Sequence, residues 1–198
     1  MKFIFLIKSE TVDIEKYTIK DLPGASGRLD VIIRCILSAI LSYDSFEKNT
    51  QVWIFLDKYG TFLFDSEILD YETFPKNELK LADFFVELIR NKTTLDSIPD
   101  NPLLSVKIID IDFFGVVENF INDDYKIHIM DENGEDFFNN LENFRSDKNV
   151  YIIGNQTGDF LNSKEILELN LPRISLGTQA YLGSSIIRLI KLNLAIKK

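Results

Sequence analysis

The sequence predicts an α/β fold in which a mainly parallel sheet is flanked by helices. Apolar runs alternate with amphipathic stretches along the whole chain, which is typical of strands joined by helices. Several runs, such as Phe3–Lys8 and Val150–Gly154, are continuously apolar, which favours strands covered by helices on both faces. The 198 residues, of which 45% are hydrophobic, suffice for a sizeable core, and we expect one domain over residues 1–198.

Each element has a local signal of its own. The strand candidates are short apolar runs bounded by polar or turn residues. They are Phe3–Lys8, Gln51–Asp57, Thr61–Phe64, Val106–Ile109, Lys126–Met130, Val150–Gly154 and Arg173–Leu176. The helix candidates are longer and amphipathic, and the first follows a Pro23-Gly24 turn. They are Gly27–Ser42, Leu79–Asn91, Phe113–Asn122, a short one near Asp136–Phe144, Ser163–Leu167 and Thr178–Ile196. Acidic turns such as residues 131–134 are predicted to be solvated loops.

The last predicted helix has a broad apolar face. Its members are Tyr181, Ile186, Ile187, Leu189, Ile190 and Leu194. A face of this width packs against the core of its own chain or forms a dimer interface, and the sequence leaves both interpretations open.

Composition excludes several classes of protein. The single cysteine, Cys35, excludes an intramolecular disulfide framework and a cysteine-rich zinc site. With one histidine, His128, most hydrolase triads and histidine-rich metal sites are also unavailable. No apolar run approaches ~18 residues, so we expect no membrane span. The single cysteine leaves the redox compartment open, and the cytoplasm is the default expectation. The net charge of −9 means that any nucleic-acid site must be a local patch on an acidic body.

Two segments carry polar chemistry. In the first, Ser26 or Gly27 begins a helix, and Arg28 and Asp30 fall in its first turns. Arg28 can hold a phosphate or a base carbonyl, and Asp30 can accept a proton or a hydrogen bond. The alternative is structural: an acidic residue favoured by the helix dipole, paired with Arg34 four residues on.

The second segment consists of two predicted strands that end in glycine-containing loops. The strands Val150–Gly154 and Arg173–Leu176 are followed by residues 155–158 and by Gly177. Ligands of parallel sheets bind outside the carboxyl ends of strands, and glycines there let the backbone approach a flat heterocycle. Taken alone, these residues are better explained as ordinary loops.

The stretch from Lys20 to Cys35 resembles a family signature. It reads Lys-Asp-Leu-Pro-Gly-Ala-Ser-Gly-Arg-Leu-Asp-Val-Ile-Ile-Arg-Cys and is similar to the N-terminal motif of the archaeal tRNA pseudouridine N1-methyltransferase family (TrmY). Further matches follow in order: His128 with Asn133–Asp136, Val150–Gly154, and Arg173–Leu176 before the last helix. Residues 43–120 carry little that matches.

This resemblance implies a single SPOUT methyltransferase domain, with a deep C-terminal trefoil knot that binds S-adenosylmethionine. It also implies a homodimer with the knot region at the interface, tRNA as partner and no metal. The implied donor site consists of Ile127, Gly154, Leu176, Gly177, Thr178, Gln179, Ala180, Tyr181 and Ile186. The implied reaction methylates N1 of the pseudouridine at position 54, in the T-loop arm of tRNA.

The reaction assigns roles to Arg28 and Asp30. N1 of pseudouridine is a poor nucleophile until it loses its proton, so an enzyme must align N1 with the methyl sulfonium and deal with that proton. Asp30 is the candidate acceptor, and Arg28 is the candidate for holding the base carbonyl or a flanking phosphate. We expect the target base to leave its stack.

The chain departs from the family pattern at two places. Gly154-Asn155-Gln156 stands where the family has Gly-Asp-His, and Leu182, Ser184, Ser185 and Ile186 stand where it has a His-x-x-His-Cys cluster. Two alternatives therefore stay open. One is a related SPOUT enzyme that methylates N1 of pseudouridine in rRNA. The other is a catalytically silent dimeric SPOUT relative that binds RNA or protein.

Overall fold

A seven-stranded sheet lies between two layers of helices in the computed structural model, which describes residues 1–154, 160–177 and 179–195. The strands are β1 (Phe3–Ser9), β2 (Thr50–Leu56), β3 (Gly60–Asp65), β4 (Lys107–Ile109), β5 (Lys126–Asp136), β6 (Asn149–Ile153) and β7 (Arg173–Ser175). The described α-helices are α1 (Leu29–Ile40), α2 (Glu78–Arg90), α3 (Phe113–Asn122), α4 (Lys164–Glu168) and α5 (Gly183–Ala195). Short 3₁₀ helices cover Ile19–Asp21, Leu95–Ser97, Phe138–Phe144 and Phe160–Asn162.

The strand order is β4-β3-β2-β1-β6-β5-β7, and most of the pairs are parallel. β1 is parallel to both β2 and β6, and β5 is parallel to both β6 and β7. Only β3 runs antiparallel to its neighbours β2 and β4, because the short turn after β2 allows a hairpin but no crossover. The predicted α/β class with a mainly parallel sheet is confirmed.

Each face of the sheet is covered by its own group of helices. Phe5 and Tyr151 face the layer of α1, α2 and α5, whereas Ile4 and Val150 face the layer of α3 and α4. Since side chains alternate between the faces of a strand, both layers need apolar partners from β1 and β6. This explains why these two runs are continuously apolar in the sequence. Among the described helices, none is long and apolar enough to span a lipid bilayer.

α5 packs into the core along α1. Ile187, Ile190 and Leu194 are buried in the same cluster as the inner side chains of α1. Core packing therefore accounts for one side of the predicted apolar face. Ile186 and Leu189 are partly buried and pack against the same cluster, whereas Tyr181 is 40% exposed.

Three segments differ from the sequence-based expectation. The sequence predicts a solvated loop at residues 131–134, but these residues belong to β5, which pairs again with β7 at Glu135 and Asp136. A Cβ at Gly134 would lie 2.5 Å from the Ile174 amide nitrogen, so only glycine permits this approach. The helix predicted near Asp136–Phe144 is a 3₁₀ helix that begins at Phe138. The last helix begins at Gly183 rather than at residue 178.

A buried lysine joins the C-terminal ends of α1 and α5. Lys191 Nζ donates hydrogen bonds to the carbonyl oxygens of Ser38 (3.0 Å), Ala39 (2.8 Å) and Leu41 (3.3 Å). It also forms an ion pair with Glu47 at 3.3 Å. Burial lowers the pKa of Lys191, and the ion pair with Glu47 opposes that shift. The ammonium satisfies carbonyls that the helix end leaves without partners.

We predict that Lys191→Met lowers the free energy of unfolding by about 2 kcal/mol, because three carbonyls and Glu47 lose a charged donor. Urea denaturation measures the change. Lys80→Met, at an exposed position on α2, is the matched control and should change stability little. Equal stability of the two variants would contradict the capping role of Lys191.

His128 is a buried neutral histidine in β5. Its Nε2 lies 3.2 Å from Oδ1 of Asn149. The side-chain nitrogen of Asn149 donates to the Phe144 carbonyl at 2.8 Å. The Asn149 oxygen therefore accepts, and Nε2 carries the proton. The ring is stacked on Tyr151 with centroids 5.8 Å apart, and burial lowers the pKa of His128.

We predict that His128 destabilises the protein on mild acidification. The unfolded chain protonates this histidine near pH ~6.5, but the folded chain resists protonation, so stability is lost as the pH falls. Urea denaturation between about pH 7 and about pH 5 should show this decline, and His128→Gln should show less of it. An unchanged pH dependence in His128→Gln would refute the assignment.

Candidate functional site

A cleft of about 360 Å³ opens beyond the ends of β6 and β7 and beside residues 130–133 in the middle of β5. Most of the donor-site residues expected from the sequence line it. They are Gly154, Leu176, Gly177, Gln179, Ala180, Tyr181 and Ile186. The cleft lies at the carboxyl ends of parallel strands, where α/β sheets bind ligands.

Of the other two expected donor-site residues, one is described and does not line the cleft. Ile127 is buried in the apolar layer beneath α3, together with Phe113 and Val117. It stands near the start of β5, three residues before Met130, which does line the cleft. Thr178 lies outside the described residues.

The cleft also contains residues that the sequence-based reasoning missed. Asp131, Glu132 and Asn133 line it from β5, and Leu161 and Asn162 line it from the 3₁₀ helix after the end of β6. The polar composition of residues 131–134 resembles that of a surface loop, and for this reason the sequence predicts a solvated turn. The position of the turn does indicate a ligand site, since it follows directly on a buried strand, at the edge where ligands bind.

One wall of the cleft is held by Arg173. Its guanidinium pairs with Asp131 and donates to the carbonyl of Leu161, and Nη1 lies 3.4 Å from Asn162 Oδ1. Burial raises the pKa of Asp131, but hydrogen bonds from the Asn133 amide and from Arg173 outweigh burial and hold this pKa below its usual range. Asp131 is therefore ionised at neutral pH, and its carboxylate fixes the cleft wall.

The chemical character of the cleft is mixed. Leu176 and Ile186 supply apolar surface, and Glu132 and Asn133 supply polar groups to the lining. Such a combination of apolar surface with a few directed polar groups is typical of small-molecule sites. Among the described residues, no group of three or more His, Cys, Asp or Glu side chains is arranged to hold a metal ion.

The loop before α1 positions Arg28. Gly27 has a φ of 58°, and a Cβ there would lie 1.8 Å from the carbonyl oxygen of Thr11. Thr11 Oγ1 donates to the Gly27 carbonyl at 2.9 Å. The Leu29 amide donates to Ser26 Oγ at 3.1 Å and so satisfies one amide at the start of the helix. Arg28, with a φ of 71°, also has left-handed backbone, which directs its side chain back towards Asp30.

Arg28, Asp30 and Arg34 form one ionic cluster. Arg28 donates from Nε to Asp30 Oδ1 at 2.9 Å and from Nη2 to Oδ2 at 3.2 Å. Arg34 Nη2 donates to Asp30 Oδ2 as well, so the ion pair anticipated at four-residue spacing is formed. Asp30 is only 5% exposed, while the Arg28 side chain is 41% exposed. Hydrogen bonding to Asp30 raises the pKa of Arg28.

The ionic cluster and the cleft lie at the same edge of the sheet. β1, which leads to Arg28, and β6, which leads to the cleft, are adjacent and parallel, so both end at this edge. The start of α5 packs closely against both α1 and β6. A Cβ at Gly183 would lie 3.0 Å from Sγ of Cys35 in α1 and 3.1 Å from Cγ2 of Ile153 in β6. Cys35 itself is buried, and burial raises the pKa of its thiol to about 12, so it offers no thiolate at neutral pH.

Comparison with known proteins places the chain in a family. Residues 1–198 match the model of a family described as "Putative SAM-dependent RNA methyltransferase". A tRNA (pseudouridine(54)-N(1))-methyltransferase from Pyrococcus abyssi is 27% identical over 202 residues, which covers 96% of each chain. The protein of that name from Thermococcus onnurineus is 24% identical over 198 residues, or 95% of this chain and 94% of the relative.

A solved structure has the same fold. Archaeoglobus fulgidus Nep1 bound to S-adenosylhomocysteine superimposes with a TM-score of 0.67 and covers 98% of this chain and 97% of the other. The two sequences are 14% identical, so this likeness establishes the fold. The family model matches over the full length, and the chain accordingly belongs to this family of S-adenosylmethionine-dependent RNA methyltransferases.

Proposed function

We propose that this protein transfers a methyl group from S-adenosylmethionine to N1 of the pseudouridine at position 54 of tRNA. The observation that carries the proposal is the cleft beyond the carboxyl ends of β6 and β7, at the same sheet edge as the Arg28–Asp30 pair. The two full-length archaeal relatives named for this activity support the choice of substrate.

The cleft suits the methyl donor. Leu176 and Ile186 provide apolar surface for the adenine, and the backbone from Gln179 to Tyr181 provides hydrogen-bonding groups beside it. Glu132 and Asn133, which also line the cleft, are proposed to bind the polar part of the donor. The donor supplies a methyl group on a positively charged sulfur, and this chain's residues hold it facing the ionic cluster.

Arg28 and Asp30 are proposed to act on the base. Both oxygens of Asp30 accept hydrogen bonds from guanidinium groups, so Asp30 is a free proton acceptor only after one of these bonds opens. The Arg28 side chain is the more exposed partner and can turn to a phosphate or to a base carbonyl. In this scheme the arrival of RNA draws Arg28 away and frees Asp30 Oδ1 to take the N1 proton.

The finer features of the fold are part of the proposal. We propose the SPOUT arrangement, with a deep trefoil knot in the C-terminal part of residues 1–198. Its support is the close passage of β7 beside the arch of residues 131–134, where the Ser175 hydroxyl donates to the Glu132 carbonyl at 3.1 Å. From there the chain crosses to α5, which packs on α1.

We also propose a homodimer located in the cytoplasm. The apolar groups left exposed around α5 support the dimer: Tyr181 is 40% exposed, Leu182 44% and Leu192 59%. The cytoplasmic location rests on the proposed tRNA substrate.

The function is tested by transfer of labelled methyl groups from S-adenosylmethionine to tRNA that carries pseudouridine 54, with mass spectrometry locating the product. We expect methylation of this tRNA and none of the same tRNA with uridine at that position, because uridine has no N1–H. Ala180→Trp should fill the cleft, abolish transfer and lower the affinity for S-adenosylhomocysteine by at least tenfold in calorimetry, since the ring occupies the space of the ligand. Ser42→Trp, at an exposed position outside the cleft, is the control.

The outcomes separate the alternatives. Binding of S-adenosylhomocysteine without methylation of tRNA, but with methylation of pseudouridine-containing rRNA, would favour the rRNA enzyme. No binding of S-adenosylhomocysteine by the folded wild-type protein would favour the silent relative.

We predict that Asp30→Asn reduces turnover at saturating tRNA by about 100-fold, because the amide cannot accept the N1 proton. The affinity for S-adenosylhomocysteine should stay unchanged, and the pH dependence of the remaining activity should differ from the wild type. Arg34→Lys keeps a cation beside Asp30 and serves as the structural control. Full activity of Asp30→Asn would exclude the proton-acceptor role.

A further inference from the structure

Four lysines stand in a row at the amino-terminal edge of the sheet, opposite the cleft. Lys48, Lys2, Lys148 and Lys126 lie at the starts of β2, β1, β6 and β5, which are neighbours in that order. The register places them within one residue of one another along this edge, since Phe3 is opposite Thr50, Ile4 is opposite Val150 and Lys126 is opposite Asn149. Neighbouring strands are about 4.8 Å apart, so this lysine row spans about 15 Å.

Among the described residues, no ammonium group of the lysine row forms a salt bridge with a carboxylate. Lys148 Nζ donates instead to the backbone carbonyl of Asp123 at 3.0 Å, and Asp147 accepts from the backbone amide of Lys2 at 2.7 Å. At the opposite edge, by contrast, Lys8 pairs with Asp57 at 2.5 Å.

An aromatic ring stands within the lysine row. The ammonium groups of Lys2 and Lys148 each lie 5.8 Å from the centre of the Tyr125 ring, which is partly exposed. Phe120 packs edge-on against Tyr125 with centroids 5.0 Å apart, and Trp53 supports Phe120 in the same way at 5.9 Å. The ring is thus fixed in place by packing. A fixed aromatic ring among cations offers a stacking surface for a nucleobase next to contacts for phosphates.

We propose that the lysine row with Tyr125 is a second RNA-binding surface, which holds the sugar-phosphate backbone of the substrate away from the methylation cleft. This inference rests on the proposed function, because it takes tRNA as the ligand. A chain of net charge −9 repels RNA as a whole, so binding needs local unpaired cations, and this edge presents four of them on adjacent strands. β1 has seven residues, so the two edges are roughly 23 Å apart, and a full tRNA reaches both more readily than a short hairpin does.

The test compares full-length pseudouridine-containing tRNA with an isolated T-arm hairpin, each carrying fluorescein, by anisotropy titration at several salt concentrations. We expect wild type to bind the full tRNA more tightly than the hairpin. In the fourfold variant Lys2→Gln, Lys48→Gln, Lys126→Gln and Lys148→Gln, this advantage should disappear. The slope of log affinity against log salt for tRNA should become shallower by about 3, as four lost phosphate contacts require.

The control changes the same number of charges elsewhere. Lys76, Lys80, Lys92 and Lys107 are exposed and lie outside the lysine row, and their combined change to Gln alters the net charge equally. Its salt slope and its preference for full tRNA should remain those of the wild type. Both variants should bind S-adenosylhomocysteine with unchanged affinity and retain the wild-type kcat at saturating tRNA. Only the variant of the lysine row should have a raised KM for tRNA.

Each outcome bears on one proposal. If wild type methylates tRNA and the fourfold variant keeps the wild-type preference and salt slope, the second RNA surface is refuted while the proposed function stands. The same holds if the control variant loses as much affinity as the fourfold variant, since net charge would then explain the effect. If the fourfold variant instead loses binding of an acidic peptide but not of tRNA, the surface recognises protein and the inference is overturned. If wild type neither binds nor methylates tRNA, the proposed function itself fails.

Discussion

The parallel alignment of β1, β6 and β5 is the constraint on which the rest of this structure depends. β6 lies between strands that precede it in the chain, so it is covered on both edges and both faces, and every one of its residues is buried. Because these strands are parallel, the segments that follow them emerge at one edge. The cleft and the Arg28–Asp30 pair are therefore brought to the same side of the molecule, although about 100 residues or more separate them in sequence.

Close backbone contacts hold the loops at that edge. The loop before α1 can lie against residues 11–13 only because Gly27 has no side chain, and β5 can approach β7 only because Gly134 has none. Each contact determines where a polar group stands: Arg28 in the first case, and Glu132 with Asn133 in the second. Backbone packing thus places the polar groups before any ligand is bound, which lowers the entropic cost of arranging them around one.

Charge is distributed unevenly between the two edges. Near the cleft, Lys8, Arg28 and Arg173 are each engaged by carboxylates, so these cations mainly fix the architecture. At the amino-terminal edge the lysines carry no such partners among the described residues. The net charge of an acidic protein repels RNA. Such a protein can bind RNA only where cations without carboxylate partners make the local potential positive.

The sequence by itself determined the class of the fold and most of the element positions, because apolar periodicity is a local property that each strand or helix must satisfy. It also located Gly154, residues 176–177, residues 179–181 and Ile186, which line the cleft, through the resemblance of their surroundings to a family motif. Only the tertiary structure decided that Ile127 faces the core while Asp131 lines the cleft, because the direction of a side chain depends on which helix layer covers that face. The lysine row is a matter of strand order and register, so residues from 2 to 148 become neighbours only when the sheet assembles.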